Sequence, residues 1–200
     1  MYQGPNATTA RIRASGSKLQ DSRDLGPYNL NPGQLIKIRS MTVNDAASVL
    51  TLVKLILTNC DTTLVTLDEF DYSLREERRF LSDNLRNPAL ALGAWAEGVL
   101  VGVCFVSPKK LRRQAHVGEI HYSVHPQHRR LGIGTRLVMK AVSAVRSERI
   151  LRRLEAYAFS NNEASIKILL KAGFHLEGTL RGSVAVGGKW IDQFIFAKRL

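Results

Sequence analysis

Hydrophobic and polar positions along the chain follow two periods, and these periods predict its elements. Apolar residues spaced three and four apart predict helices, whereas alternating positions or short apolar runs predict strands. The predicted helices cover 46–59, 74–85, 134–147 and the stretch from Asn161 or Asn162 to Gly173. The predicted strands cover 35–38, 90–96, 99–106, 116–124, 151–158, 174–186 and 190–197. Residues 97–98 and 187–188 are turn-forming pairs between neighbouring strands, so we expect a mixed, mostly antiparallel sheet.

Residues 1–34 differ from the rest of the chain, because they show no sustained period and contain many Pro, Gly, Ser, Thr and Asn residues. This composition predicts a flexible N-terminal tail. Residues 35–200 are then expected to form a single α/β domain. A chain of 200 residues, 44% of them apolar, is of ordinary single-domain size and can bury a core.

Composition excludes several other classes. No apolar run reaches the roughly 18 residues that span a bilayer, and the N-terminus has no apolar signal core. We therefore expect a soluble, cytoplasmic protein with no membrane partner. Two cysteines are too few for a disulfide framework or a zinc site. Four histidines, His116, His121, His125 and His128, need not converge, so no metal is expected.

The stretch from Ile120 to Met139 carries the strongest functional signal. An alternating strand ends near Val124, a basic turn follows, and a helix begins around Gly132 and Gly134. The start of a helix presents N–H groups and favours negative charge, and glycines let a ligand approach closely. Cationic side chains at the same end are Arg129, Arg130 and Arg136. The stretch therefore predicts a site for a phosphate or pyrophosphate.

Two other phosphate-binding motifs do not fit this chain. A dinucleotide-binding fold needs a third glycine where this chain has Leu137. A P-loop needs Ser or Thr after Gly-Lys, but Trp190 follows Lys189. A plain strand-to-helix connection with a solvated basic loop remains as an alternative.

The same residues resemble motif A of the GNAT superfamily, the acetyl-CoA-dependent N-acetyltransferases. Every defined position of the Val-x-Pro-x-x-Arg-x-x-Gly-x-Gly pattern is matched, by Val124, Pro126, Arg129, Gly132 and Gly134. In that family the backbone amides of this turn hold the CoA pyrophosphate. The resemblance therefore implies the same ligand here.

A second match lies further along the chain. Residues 162–166 and 171–174 resemble the family's Asn-x-x-Ala/Ser-Ile and Lys-x-Gly-Phe helix. Together with residues 36–39 and 45–46 near the start, the resemblance covers roughly 35–200. It implies the GNAT fold, in which about four helices flank a mixed, mostly antiparallel central sheet.

The resemblance also implies an acyltransferase that moves an acetyl group to a primary amine. Acetyl-CoA would be the cosubstrate, no metal would be used, and the acceptor would be a small molecule or a protein N-terminus or lysine. The residues implied for CoA binding are Val124, Arg129, Arg130, Leu131, Gly132, Ile133, Gly134, Thr135, Asn162 and Lys171. The oligomeric state stays open, with a homodimer as one option.

Glu119 is the candidate general base, because relatives often carry a carboxylate on this strand. At a spacing of two, Glu119 and His121 should share one face. The alternative is an exposed acid paired with Arg112 or Arg113. The general acid is less defined.

In many GNAT proteins a Tyr on the second matching helix supplies a proton, but this chain has Leu169 there. Tyr122, Tyr157 or a water could take that role. We choose Tyr122 as the catalytic candidate and expect Tyr157 to be a core strand residue. A GNAT-fold protein that binds CoA without catalysis is therefore an alternative function.

The formal net charge of +12 raises nucleic acid as a partner of another class. Residues 107–115 and 125–153 carry most of the excess positive charge, which we expect near the phosphate turn. Nucleic acid is not expected as a partner, because no stacking aromatic residues are interleaved with these charges.

Acidic residues after the first helix predict the charge of the acceptor. Asp68, Glu69 and Asp71 precede the second helix without nearby Lys or Arg. In this fold the region forms one lip of the acceptor cleft. We therefore expect an acceptor with an additional positive charge or none, but no net negative charge. The alternative is a solvated charged face.

Overall fold

The computed structural model describes residues 28–29, 35–85 and 90–200, which form a mixed α/β fold. The strands are β1 (Tyr28–Asn29), β2 (Leu35–Ser40), β3 (Leu90–Ala96), β4 (Val99–Pro108), β5 (Val117–Val124), β6 (Arg153–Phe159), β7 (His175–Val186) and β8 (Lys189–Arg199). The α-helices are α1 (Ala46–Thr58), α2 (Leu74–Asn84), α3 (Ile133–Glu148) and α4 (Glu163–Lys171). Within the described residues, no helix combines the length and the apolar character needed to cross a membrane.

The strands join in one sheet with the order β1-β2-β3-β4-β5-β6-β8-β7. Neighbouring strands are antiparallel except β5 and β6, which run parallel and are connected through α3. The parallel contact is short, because only residues 117–119 pair with residues 153–155. Beyond these residues, β5 remains paired with β4, and β6 remains paired with β8. A cleft therefore opens between β5 and β6.

Each face of the sheet has its own apolar core. Helices α3 and α4 cover one face, where their buried side chains pack with Ile120 and Leu154. Helices α1 and α2 cover the other face, above Val103 and Phe105 of β4. Successive strand residues point to opposite faces, so the even-numbered residues of β5 face α3 and α4. Its odd-numbered residues face α1 and α2.

Side-chain hydrogen bonds stabilise the start of α2 and of the 3-10 helix Val43–Asp45 that precedes α1. Ser73 Oγ accepts from Glu76 N, and the Glu76 carboxylate accepts from Ser73 N at 2.9 Å. Asp45 accepts from Thr42 N at 2.7 Å and holds Arg39 through two contacts of 2.8 and 2.9 Å. Hydrogen bonding by the Arg39 guanidinium lowers the pKa of Asp45 to about 2. This pair ties the end of β2 to the start of α1.

The predicted fold class is confirmed, and the helices and strands end within two residues of the predicted bounds. The flexible tail predicted for residues 1–34 lies outside the described residues apart from β1. This two-residue strand pairs Tyr28 with Ile36 and was not predicted, because two residues are too few to show a period.

Candidate active site

The turn from β5 to α3 has the backbone conformation of an anion site. A 3-10 helix covers Pro126–His128, and α3 then begins with Gly132 as its N-cap. Gly132 has a φ of 74°, which side chains disfavour, and a Cβ there would face open space. The N–H of Arg136 donates to Gly132 O at 3.1 Å as the first bond of the helix. The N–H groups before it, which have no acceptor within the helix, are those of Ile133, Gly134 and Thr135.

The structural reason for a glycine at position 134 differs from the reason for the glycine at position 132. The sequence predicts that both glycines allow close approach of a ligand. A Cβ at Gly134 would lie 2.9 Å from Ile168 Cδ1 of α4, which is too close for normal contact. The absence of a side chain at Gly134 therefore lets α3 and α4 pack together, whereas Gly132 borders the open space.

Two exposed arginines flank the start of α3. Arg129 Nε donates to Val124 O at 3.3 Å, which holds the side chain beside the end of β5. Arg130 has a φ of 62°, so the turn contains a left-handed residue besides Gly132. Leu131 packs against the core under α3 and α4. The turn thus presents two cations and several backbone donors at one helix end.

A pair of histidines shapes the same turn. His125 Nδ1 accepts from Gln127 N at 3.2 Å, and it lies 3.4 Å from His128 Nδ1. Burial lowers the pKa of His125, and the nearby His128 acts in the same direction. In the part of the chain that the structure describes, no group of three or more His, Cys, Asp or Glu side chains is placed to hold a metal ion.

The two candidates on α4 differ in their surroundings. Asn162 is the N-cap of α4, and its Oδ1 accepts from Ser165 N at 3.1 Å. Lys171 is exposed in the last turn, one turn beyond Ile168. Asn162 therefore has a structural role besides any contact with a ligand.

Glu119 lies where β5 and β6 separate. It is the last residue of the parallel register and stands opposite Glu155. Its side chain is 23% exposed, and its Oε1 is 3.4 Å from His121 Nε2. The shared face expected for Glu119 and His121 is therefore confirmed, and it is the face that α1 and α2 cover.

The two neighbouring carboxyl groups have different electrostatic environments. Burial raises the pKa of Glu119, and the charge of Glu155 raises it further, although Lys109 acts against them. Burial also opposes ionisation of Glu155, but hydrogen bonds from Lys109 and Arg153 outweigh it and lower its pKa. Their contacts with Glu155 are 2.5 and 2.9 Å. Glu119 is thus the carboxyl group with the greater affinity for a proton.

The neutral state of His121 follows from its position. Burial lowers the pKa of this imidazole well below its usual range. A neutral ring beside Glu119 leaves the charge of the carboxylate uncompensated at that contact. This arrangement suits a group that takes up a proton.

The basic residues 112 and 113 lie far from the turn between β5 and α3. The expectation that the excess positive charge lies near this turn is therefore wrong for these residues. Arg152 N and Arg153 N donate to His116 O at 2.8 and 3.3 Å, which places the connection before β5 beside the end of α3. The 16 residues of α3 span about 24 Å, so Arg112 and Arg113 are remote from the turn. Among the ion pairs of the described residues, neither arginine is paired with Glu119.

Tyr122 lies on the face opposite to Glu119, under α4. Its hydroxyl is 2.6 Å from Ser165 Oγ and donates to Ser165 O at 3.2 Å. Burial raises the pKa of this phenol. Sequence reasoning missed Ser165. Its position three residues after the N-cap Asn162 is the signal that could have drawn attention to it.

Leu169 and Tyr157, the other two positions relevant to the general acid, have surroundings that differ from those of Tyr122. Leu169 is 0% exposed in the core, so it supplies no proton and reaches no ligand. Tyr157 is half-buried on β6, two residues beyond Glu155 and therefore on the face of Glu119. Burial raises its pKa, and the charge of Glu119 contributes.

Comparison with known proteins identifies the family. The model of the Acetyltransferase (GNAT) family matches residues 57–174. This segment extends from the end of α1 to beyond α4 and contains both the cleft and the turn. The chain therefore belongs to the GNAT acetyltransferase family, as the two motifs predicted.

A curated relative supports this assignment over part of the chain, and two solved structures share the fold over most of it. The uncharacterized N-acetyltransferase YoaA of Bacillus subtilis is 38% identical over 79 residues, which cover 40% of this chain and 45% of that protein. The match spans less than half of that relative. A GNAT-family acetyltransferase from Streptococcus pneumoniae has a TM-score of 0.79 at 23% identity, over 82% of this chain and 99% of its own. YncA of Salmonella typhimurium, solved with its cofactor acetyl-CoA, has a TM-score of 0.76 at 17% identity. The match covers 82% of this chain and 94% of YncA.

The packing role of Gly134 gives a first prediction. Gly134→Ala should lower the free energy of unfolding by about 1–3 kcal/mol, because its Cβ overlaps Ile168. Adding Ile168→Val, which removes the overlapping methyl group, should restore part of this loss in urea unfolding. Gly132→Ala is the control, since its cost comes from the left-handed backbone and should not respond to Ile168→Val. A Gly134→Ala variant that Ile168→Val does not improve would contradict the packing role.

Proposed function

We propose that this protein transfers an acetyl group from acetyl-CoA to a primary amine. The observation that carries the proposal is the cleft between β5 and β6. It begins at the candidate base, Glu119, and leads to the glycine turn at the start of α3. Val124 lies five positions beyond Glu119 along β5, which corresponds to about 17 Å. The reacting thioester and the pyrophosphate of acetyl-CoA are likewise the two distant ends of one long arm.

The turn is the proposed site for the pyrophosphate. Its amides and two cations offer the donors and the charge that a pyrophosphate needs. The groups that we assign to it are the amides of Leu131, Gly132, Ile133, Gly134 and Thr135 and the side chains of Arg129 and Arg130. Asn162 and Lys171 remain candidates for the side of the cofactor nearest α4.

The β5 edge is the proposed site for the pantetheine arm. From residue 120 to Val124, β5 pairs with β4 on one side, while β6 pairs with β8 instead of continuing along its other side. The backbone N–H and C=O groups on that open side can bond the two amides of pantetheine, as an added strand would. This support comes from backbone geometry, so it does not depend on a particular side chain.

Glu119 is the proposed general base. Acetyl-CoA supplies the acetyl group as a thioester, and transfer forms a C–N bond and breaks a C–S bond. The carboxylate of Glu119 accepts the proton that the amine loses, directly or through one water. Its raised pKa brings its proton affinity closer to that of the amine, which improves this transfer.

Tyr122 is the proposed donor of the proton that the departing CoA sulfur takes up. Its hydroxyl contacts Ser165 on α4, and it lies on the part of β5 that borders the open cleft. The Ser165 hydroxyl can return a proton to Tyr122 through the same 2.6 Å contact. Glu119 and Tyr122 would then act from opposite faces of one strand.

A second candidate function is CoA binding without catalysis. The observation that favours it is Leu169, which is wholly buried at the position where many relatives carry a catalytic Tyr. Binding and turnover experiments separate this candidate from the first one.

CoA binding and turnover together test the proposal. Calorimetry with CoA should show saturable binding, and Arg129→Ala combined with Arg130→Ala should weaken it roughly ten-fold or more, since two phosphate contacts are lost. The matched control is Arg112→Ala combined with Arg113→Ala, which removes the same charge at the far end of α3 and should leave the affinity unchanged. Acetyl-CoA with a panel of primary amines should then release thiol. Absence of CoA binding by the wild type would overturn the donor assignment, and binding without thiol release would favour the non-catalytic candidate.

The pH dependence tests Glu119. Glu119→Gln should lower kcat/KM for the amine by about 10²–10³-fold while the Kd for CoA stays the same. Because burial raises the pKa of Glu119, wild-type kcat/KM should rise with pH through a value above the usual carboxyl range. Glu119→Gln should lose this step and keep the step that belongs to the amine. Glu163→Gln, an exposed carboxyl on α4, is the control. An unchanged profile in Glu119→Gln would exclude this residue as the base.

Substitution of two tyrosines on opposite faces of the sheet tests which of them donates the proton to the departing sulfur. Tyr122→Phe should lower kcat by about 10–100-fold and leave the KM for acetyl-CoA nearly unchanged, because it removes a proton donor and not a binding group. Tyr157→Phe should have an effect of less than about three-fold on kcat. The reverse order would assign the acid to Tyr157, and two near-neutral variants would assign it to water.

A further inference from the structure

An apolar cleft, distinct from the one between β5 and β6, lies on the face of the sheet that carries Glu119. Helix α1 and the connection between α1 and α2 form its walls, and β4 and β5 form its floor. The principal lining residues are Ile56, Leu57, Val65, Phe70, Val103 and Ser123. This lining is the feature from which the chemistry of the acceptor can be inferred.

The floor of the apolar cleft is aligned with the proposed base. Val103 and Ser123 form a cross-strand pair. Ser123 follows Glu119 and His121 at a spacing of two, so the three side chains share one face of β5. Two strand residues correspond to about 7 Å, which is the distance from His121 to the floor. An amine near Glu119 and His121 can therefore place its substituent in the apolar cleft.

The lining of the apolar cleft is uncharged throughout. Leu64 and Leu67, in the connection between α1 and α2 that forms one wall, are 42% and 45% exposed. Within the described residues, the lining contains no Asp, Glu, Lys or Arg. A charged substituent in this cleft would lose its hydration without gaining an ionic partner, which is unfavourable.

Two of the three acidic residues of the lip, Asp68 and Glu69, form hydrogen bonds within the loop itself. The Glu69 carboxylate accepts from Thr66 N at 2.9 Å and from Thr66 Oγ1 at 2.8 Å. A side-chain hydrogen bond from Thr66 also lowers the pKa of Asp68. Asp68, Glu69 and Asp71 are all exposed, and none of them lines the apolar cleft. Of the two acceptor charges expected from the sequence, these contacts favour the neutral substituent over the cationic one.

We infer that the apolar cleft binds an uncharged aliphatic side chain on the carbon next to the acceptor amine. The inference rests on the proposed acetyl transfer and narrows its acceptor. Free amino-acid derivatives and polypeptide N-termini share this chemistry. An α-amine that carries an uncharged aliphatic side chain is the acceptor whose substituent matches this lining.

A matched series of acceptors tests this inference. L-Leucinamide, glycinamide, L-lysinamide and L-aspartic acid α-amide carry the same α-amine and amide and differ in the side chain. Thiol release from acetyl-CoA should give the highest kcat/KM for leucinamide, about ten-fold or more above glycinamide. The tripeptide Leu-Gly-Gly, compared with leucinamide, shows whether a polypeptide N-terminus or a small amide is the better source of the side chain.

Substitutions at adjacent loop residues test whether the preference for leucinamide arises in the apolar cleft. Val65→Asp puts a charge into the lining and should reduce kcat/KM for leucinamide to the level of glycinamide, while glycinamide itself is unaffected. Leu64→Asp, one residue away and outside the lining, is the control and should keep the wild-type preference. Thr63→Asp, also in the lining, repeats the test if Val65→Asp does not fold, as judged by thermal unfolding.

The outcomes separate this inference from the proposed function. Equal kcat/KM for all four amides, or a preference for lysinamide, would overturn the inference and leave acetyl transfer intact. A leucinamide preference that persists in Val65→Asp would also overturn it, because the preference would then arise elsewhere. Absence of thiol release with every amine would overturn acetyl transfer, and the acceptor inference with it.

Discussion

The short parallel contact between β5 and β6 determines where a ligand can bind this fold. At that contact there is no room for a side chain at Gly118, since a Cβ there would lie 2.7 Å from Leu151 Cδ1 and 3.1 Å from Leu154 Cδ2. Beyond Glu119 each strand follows its other neighbour, and the sheet opens in its middle. Backbone groups left without a strand partner inside a protein are costly unless water or a ligand bonds them. The topology therefore leaves an open strand edge in the middle of the sheet, which is what the proposed pantetheine site requires.

The same contact sets two carboxyl groups side by side and makes their roles unequal. Glu119 and Glu155 are register partners, so mutual repulsion favours protonation of one of them. Lys109 and Arg153 both contact Glu155, and this fixes Glu155 as the ionised member. Glu119 faces a neutral His121 and keeps the raised pKa. Separation of the proton affinities of neighbouring groups is how acid and base functions are commonly assigned within one site.

Local sequence patterns predicted much of this structure because each of them acts over a few residues. Period and turn chemistry located the helices and hairpins, and the positive φ of Gly132 is a property of the turn itself. The shared face of Glu119 and His121 followed from strand geometry alone. The anion binding proposed for the turn is equally local, since it depends on the start of one helix.

Features that depend on tertiary contacts between distant helices and strands could not be predicted from local sequence patterns. The overlap between Gly134 and Ile168 joins α3 to α4, and the Tyr122–Ser165 contact joins a strand to a helix 43 positions later. The location of Arg112 followed from a hydrogen bond between two loops at the far end of α3. Sequence charge therefore overstated the positive charge near the turn, where the proposed pyrophosphate site has Arg129, Arg130, Arg136 and the backbone amides. A site built this way depends more on backbone geometry than on net charge, and its affinity for a pyrophosphate should follow the conformation of the turn.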